Sequence, residues 1–364
     1  MNDRVRNYSG LRVRPERLER FAARVMEAGG LSRAPAEEAA EVLVTADTWG
    51  VFTHGTRQLV PLMNNVRKGA ISAEAAPAVV VAGNGCALVD GRQAMPMLTS
   101  RLAMGTAIDL ARNSGVAYAG VRNSNHFGAA GYYAMMAAKA DMIGVAMSNV
   151  DVCMTVPGAS GPVIGTNPIA YAVPAGKEKP VMLDIATSVV AVSKLFAAKA
   201  SGVPVPENWI VDGQGRSTTD PNDYPDRATI LPMAGHKGYG IALLIEVLSG
   251  VMTGASFLSG ISRWVDPDPE PAGQGHAFIA IDVRKLMPLE VFRERMDTMI
   301  AEVRSAPKGG GDGRIYLPGE MEWERQAEAC ASGLALPDFV VENLVQVAED
   351  TGQGDALEGL FGEA

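Results

Sequence analysis

The chain has 364 residues, 47% of them hydrophobic and 20% charged, which is enough apolar surface for a large core and excludes global disorder. With 32 Lys and Arg against 41 Asp and Glu the formal charge is −9, and an acidic chain without a basic block is not built for nucleic acid or an anionic membrane. The length suits two or three domains, or one large one.

The first third reads as helices. Leu18, Phe21, Val25 and Met26 fall on one face of a helix over Pro15 to Ala28, which Gly29-Gly30 stops. Ser32 can cap a second helix running to about Thr48, and a third follows from about Thr56 to Val66. Ala78–Val81 and Cys86–Asp90, around Gly83-Asn84-Gly85, predict a hairpin, and Pro96–Ser114 a helix. The centre changes character. Val116–Val121, Gly144–Ser148, Pro168–Val173 and Val181–Asp184 are short apolar runs that predict strands, with a helix over Tyr132–Asp141. Thr187–Ala200 reads as a helix and the Pro-rich Gly202–Pro232 as a polar surface excursion. Gly238–Thr253 is a strongly apolar helix, Asp266–Gly275 a loop, His276–Asp282 a strand and Pro288–Arg304 a helix. Lys308–Gly313 is a glycine-rich loop, and the acidic tail past Ala348 predicts a frayed end. Aromatic residues are 6% while Met numbers 18, so the core is expected to be aliphatic and Met-filled.

Cys86, Cys153 and Cys330 are odd in number and far apart, which predicts neither a disulfide frame nor a zinc site and fits a reducing cytoplasm. No HxH or HExxH spacing suggests another metal. Met1 to Arg20 has no apolar core of a signal peptide, and Ile241–Met252 is too short to span a bilayer and carries Glu246.

Five clusters carry chemistry. In Thr53-His54-Gly55-Thr56-Arg57, a helix-start imidazole can move a proton near neutral pH and Arg57 can hold a carboxylate; read alone, it is equally a His beside an exposed Arg. Asn123-Ser124-Asn125-His126-Phe127-Gly128 puts hydrogen-bonding side chains at a strand end, where α/β sites form, or makes an Asn-rich turn. In Met182–Ser188, Asp184 ends a strand and could orient an imidazole or accept from a ribose, while Thr187-Ser188 can cap the next helix. Gly235-His236-Lys237-Gly238-Tyr239-Gly240 places glycines and a cation before a helix, which suits a phosphate or is a flexible turn. Leu317-Pro318-Gly319-Glu320 is a turn. No GxGxxG, P-loop or GxSxG occurs, so neither a standard dinucleotide βαβ unit nor a serine hydrolase is supported.

Taken in order, THG, NSNHFG, GTNPIAYAVP, LDIATS, GHKGYGIAL and LPGE, from Thr53 to Glu320, resemble the malate/L-lactate dehydrogenase family of the non-Rossmann type, which includes ureidoglycolate, sulfolactate and diketogulonate dehydrogenases and a piperideine-carboxylate reductase. The resemblance implies an oxidoreductase moving a hydride between NAD or NADP and a small 2-hydroxy or 2-oxo acid. A family member that has lost activity and serves as a binding protein, or a cyclic imine reductase, is the alternative. It further implies an α+β fold. A largely antiparallel nicotinamide-binding sheet over 76–284, with a small subdomain around 122–160, would join a helical domain built from 1–75 and 285–364, in a homodimer. By resemblance His54 is the proton donor in reduction, with His126 as the second candidate, and Thr53 and Asp184 polarise or orient the imidazole. Arg57 and Asn125 bind the substrate. Ser148, Asp184, Ile185, Ala186, Lys237, Gly319 and Glu320 match cofactor positions, and His236 stands where an aromatic residue is common. Two departures stand out: Thr53 replaces the usual Ser, and the family's substrate arginine commonly falls at Gln58, one position after Arg57, about 100° further round a helix.

Overall fold

Periodic apolar residues open the described chain, which the computed structural model covers over residues 8–309 and 313–361. After β1 (Arg12–Val13) come α1 (Pro15–Ala28), α2 (Arg33–Thr48) and α3 (Leu59–Arg67). Leu18, Phe21, Ala22, Val25 and Met26 all face inward along α1, and Pro15 opens it where its missing N–H costs nothing. The buried side chains of α2 include Ala36, Ala39 and Ala40, small enough for neighbouring elements to approach closely. Then follow β2 (Ala78–Gly83), β3 (Cys86–Asp90), α4 (Pro96–Ser114), β4 (Val116–Ser124), α5 (Ala130–Lys139), β5 (Met142–Ser148), β6 (Ile169–Val173) and β7 (Val181–Ile185). The remainder runs α6 (Val192–Ser201), β8 (Ile210–Asp212), β9 (Ser217–Thr218), β10 (Ala228–Ile230), α7 (His236–Glu246), β11 (Gln274–Asp282), α8 (Leu289–Arg304), α9 (Glu320–Ser332), β12 (Leu334–Ala335), α10 (Asp338–Thr351) and α11 (Gly354–Phe361).

The mixed central sheet has seven strands in the order β2-β3-β4-β11-β5-β6-β7, and only β3 and β4 run parallel. β11 arrives from far along the chain and inserts between β4 and β5, pairing His276 with Val121 on one side and Ser148 on the other. α4 and α5 cover one face. On the other, Ile245 of α7 packs with Met147 and Ala277, and the helix continues as a π-helical turn over Val247–Val251. Residues 122–148, expected to open a small subdomain, run through β4, α5 and β5 of this sheet. A separate small core joins Met154, Ile164, Leu195, Val205, Ile210 and Ile230 beside the sheet β10-β8-β9. Helices from both chain ends meet: α10 packs on α1 and α3, α11 on α1, and β1 pairs with β12. α8 instead lies against β6 and β7 through Met296 and Ile300. Among the described residues no helix is long and apolar enough to cross a membrane.

Three expectations are corrected. The helix predicted from Thr187 begins at Val192, because Thr187 N–H is bound by Thr166 O and Val189 N–H by Leu231 O, which hold the chain extended. The excursion over 202–232 contains β8, β9 and β10. The tail past Ala348 is ordered as far as Phe361, where α11 buries Leu357 and Leu360 and Phe361 stacks on Tyr8; residues 310–312 of the glycine-rich loop and 1–7 of the N-terminus lie outside the described residues.

The closeness of α5 to β5 is testable. A Cβ on Gly144 would stand 2.4 Å from Ala134 O, whereas one on Gly105 in α4 meets nothing within 4 Å. Denaturant melts are expected to show Gly144→Ala losing about 1–3 kcal/mol, and Gly105→Ala gaining about 0.5–1 kcal/mol as a helical glycine is replaced.

Candidate active site

The first cluster is held by the helix before it. Asp47, in the last turn of α2, is fully buried, and its Oδ2 accepts from Thr56 N–H at 2.9 Å and Thr56 Oγ1 at 2.7 Å. Thr53 and His54 therefore sit on a short arc between α2 and the 3₁₀ turn Thr56–Gln58. Thr53 Oγ1 lies 2.9 Å from Nδ1 of His54. The second cluster leaves the end of β4 and delivers His126, whose ring centroid is 5.3 Å from that of His54. Gly128 N–H points at Nδ1 of His126, 3.4 Å away. The other face of His126 stacks on Trp264 at 5.2 Å and 17°. Trp264 Nε1–H donates to Gln58 Oε1 at 2.9 Å, and Gln58 Nε2–H donates to Thr53 O at 2.5 Å. The contacts thus close a circuit, Thr53–His54–His126–Trp264–Gln58, and no described residue bonds Nε2 of either imidazole. Beside it, Asn125 is fully buried; its Oδ1 accepts from Ala272 N–H, and its Nδ2 has no partner.

Behind this circuit lies a row that sequence reasoning missed. His276, fully buried on β11, sits 2.9 Å through Nε2 from Ser124 Oγ and 2.8 Å through Nδ1 from Ser148 Oγ, and its ring stacks on Phe127 at 4.4 Å and 5°. Ser148 Oγ donates to Asn149 O, so this hydroxyl, matched by resemblance to a cofactor contact, is spent inside the sheet. The other missed residues are Asp47, Gln58 and Trp264. Among them His276 carried a signal as one of four His, and Gln58 as the departure from the family's arginine.

Asp184 was expected to orient an imidazole. Its carboxylate instead accepts from Gly131 N–H at 2.7 Å, tying β7 to the start of α5. The reason is local: Gly131 lets the α5 backbone approach the end of β7. The LDIATS stretch meets the residues just before GHKGYG, since Met233 N–H donates to Thr187 O and Ser188 bridges to Pro232. Ile185 and Ala186 are half-buried there, and His236 and Lys237 are exposed at the N-terminus of α7. Gly319 fits closely over Met182, with φ +96° and room for a Cβ only 3.0 Å from Met182 N. Glu320 is fully engaged by Leu317 N–H, Arg304 and Arg314, so the structure gives it a structural task where a cofactor contact was expected. Arg57 turns away from the circuit, its guanidinium 5.7 Å from the Phe339 ring, and lines a cavity of about 750 Å³ between α3, α10 and the 265–267 loop.

Burial dominates the electrostatics. It lowers the His54 imidazole to about 4, with Arg57 acting the same way. It lowers His126 to about 3, with the neighbouring His54 and His276 adding to the effect, and His276 to about 3. Burial raises Asp47 to about 7 against its two Thr56 bonds, and Asp184 to about 6 against the Gly131 bond. At neutral pH the site is a set of uncharged imidazoles.

A nicotinamide dinucleotide fits what is left unpaired. Asn125 Nδ2 and Thr187 Oγ1 are buried polar groups without a protein partner, and Lys237 stands exposed at the N-terminus of α7. Comparison with known proteins agrees with this geometry. The profile of the malate/L-lactate dehydrogenase family matches residues 13–345, so the chain belongs to that family. It is 34% identical to the malate dehydrogenase of Pyrococcus horikoshii over 96% of this chain and 97% of that one. It is also 34% identical to the (2R)-3-sulfolactate dehydrogenase (NADP(+)) of Chromohalobacter salexigens, over 90% and 95%. The solved sulfolactate dehydrogenase of Methanocaldococcus jannaschii superposes with a TM-score of 0.87 at 31% identity, covering 94% of this chain and 98% of that one. Matching relatives are named for NAD(+) as well as NADP(+).

The buried imidazoles make stability depend on pH. An imidazole held at about 4 or 3 in the fold returns to its ordinary 6.5 in the unfolded chain, so unfolding takes up a proton across that interval and stability falls as pH drops below 6.5. Asp47 and Asp184, at about 7 and 6, oppose this, because unfolding releases their protons over the same range. Three imidazoles against two carboxyls leave a net uptake of about one proton. The melting temperature is therefore expected to fall between about pH 6.5 and about pH 4.5, which calorimetry at matched ionic strength would check.

Proposed function

We propose that this protein is an NAD- or NADP-dependent dehydrogenase of a small 2-hydroxy acid, with His54 and His126 as its proton-handling pair. The observation that carries the reading is the circuit itself: two imidazoles 5.3 Å apart, each with a free Nε2, next to the unpartnered amide of Asn125. Family membership and the names of the relatives support the reaction class. His54 is our first choice for the transfer. Its Nδ1 is held by Thr53, which orients Nε2 outward. As a neutral base it accepts the hydroxyl proton while the carbonyl forms; in reverse it must first be protonated, and a bound carboxylate favours that. Asn125 Nδ2 donates to the substrate oxygen.

The nicotinamide, when bound, takes up or supplies the hydride. We assign its binding to the stretches holding Asp184, Ile185 and Ala186 and holding His236 and Lys237, with Lys237 toward its phosphates and Gly319 shaping the wall. The cofactor sheet is of the largely antiparallel, non-Rossmann type over 76–284, beside a helical domain from 1–75 and 285–364. Unpaired cysteines, Cys86 and Cys330 exposed among them, support a reducing cytoplasm. A second copy is the proposed cover for the outer face of α7 and its continuation, where Leu244, Val251 and Met252 are 57%, 56% and 53% exposed.

The first test mixes the protein with NADH or NADPH and a panel of 2-oxo acids and follows reduced-nicotinamide absorbance. His54→Ala is expected to lower kcat by about 10²–10⁴, and retained turnover in both His54→Ala and His126→Ala would sink the assignment. In the oxidation direction, kcat/KM is expected to stay level from about pH 8 down through 6.5 and to fall only toward the lowered His54 value of about 4. Light scattering should give a dimer of the 38.2 kDa chain, shifted toward monomer by Leu244→Asp; an unshifted mass would place the interface elsewhere.

A further inference from the structure

The carboxyl of Asp47 is the least explained buried group near the site. Its two described bonds, from Thr56 N–H and Thr56 Oγ1, both end on Oδ2, and Oδ1 is buried without a partner. Gly55 lies flat against that second oxygen. A Cβ on residue 55 would stand 1.8 Å from Oδ1 and 2.3 Å from Cγ of Asp47. The φ of Gly55, −91°, is not left-handed, though its ψ of −145° falls outside the β region; the carboxyl beneath it leaves no room for any Cβ. Among the described hydrogen bonds, the Asp47–Thr56 pair is what ties residues 53–57 to α2. His54 and Arg57 stand on either side of the Gly55-Thr56 anchor.

We propose that Asp47 is the positioning residue of the active-site arc: it grips Thr56 and seats Gly55, and so sets the direction in which His54 presents Nε2. The inference rests on the reading of His54 as the proton-handling group. Burying a carboxyl with one oxygen unpartnered is unfavourable, and two hydrogen bonds to one residue fix a backbone in a direction that apolar packing does not specify. A small error in this seating moves the imidazole relative to the reacting carbon, and displacements near 1 Å cost about 10²-fold in rate.

The test uses Asp47→Ala, Asp47→Asn, Gly55→Ala and the double variant Asp47→Ala/Gly55→Ala in the full chain. Turnover is measured with the cofactor and 2-oxo acid that the wild type accepts. Imidazole ¹⁵N spectra are recorded on the same samples. Gly55→Ala and Asp47→Ala are each expected to lower kcat by about 10²-fold, with the KM for cofactor held within about twofold of wild type. The double variant is expected to lose no more than about 10²-fold in all, because both changes remove the same seating and the carboxyl no longer obstructs the new Cβ. Asp47→Asn, which keeps an acceptor for Thr56, should recover most of the loss. In Asp47→Ala the His54 resonances should move while those of exposed His236 stay. Additive losses in the double variant, or unmoved His54 resonances, would overturn the proposal. If the wild type turns over no acid, the reading of the site fails separately, and the His54 resonances in Asp47→Ala and Asp47→Asn still decide the positioning.

Discussion

The site depends on one strand placement, the insertion of β11 between β4 and β5. Antiparallel pairing on both sides puts His276 opposite Ser148 on β5 and Val121 on β4, and an irregularity between Gln274 and His276 brings Ser124 within reach of its ring. A strand has only two faces, so the register decides which side chains meet. Here it lines up Ser124, His276 and Ser148 across three strands, with both ring nitrogens of His276 satisfied. Phe127 stacks on that ring, which fixes the loop between β4 and α5 and so the place of Asn125 and His126. A one-residue slip of β11 would turn His276 to the other face and release the whole loop.

Around that frame the protein keeps charge out of the reacting space. Asp184 is spent on Gly131, Glu320 on two arginines and a backbone amide, and Arg57 on the side of Phe339. What lines the circuit is neutral: two imidazoles, an indole, two amides and a hydroxyl. Uncharged groups in a buried site interact strongly with any charge that arrives, since little water is present to screen it. A carboxylate arriving there would be the largest charge present, and such a charge shifts a neighbouring imidazole toward its protonated form.

Much of this was legible in the residues, for physical reasons that can be named. Strands such as Val181–Ile185 announced themselves because they are short, apolar and bounded by Pro and Gly. The clusters at His54 and His126, each equally readable alone as a structural turn, became legible because six such motifs occur in order along the chain. Other residues were hidden by their surroundings. His276 sits in a strand whose alternation reads as ordinary sheet. Asp47 lies in a helix whose Ala and Val pattern reads as core. Trp264 falls in a stretch of Pro and Asp that reads as loop. Each acquires its meaning only from a partner far away in the chain, Ser124, Thr56 or His126. Likewise Thr187 looked like a helix cap because its type and flanks fit one, yet a backbone bond to Thr166 held it extended. Tertiary hydrogen bonding outweighed local preference there.

Gln58 shows how a single departure reshapes a site. Its two amide ends are both committed, one to Thr53 O and one to Trp264. It cannot meet a ligand without opening the circuit that holds the imidazoles. A guanidinium at the same place could bind an acid with its spare donors, but it has no acceptor for the indole N–H, so Trp264 would lose its tether and His126 its stacking surface. Gln58 is therefore closed to a ligand in this fold, and the donor left without a partner beside the circuit is the buried Nδ2 of Asn125.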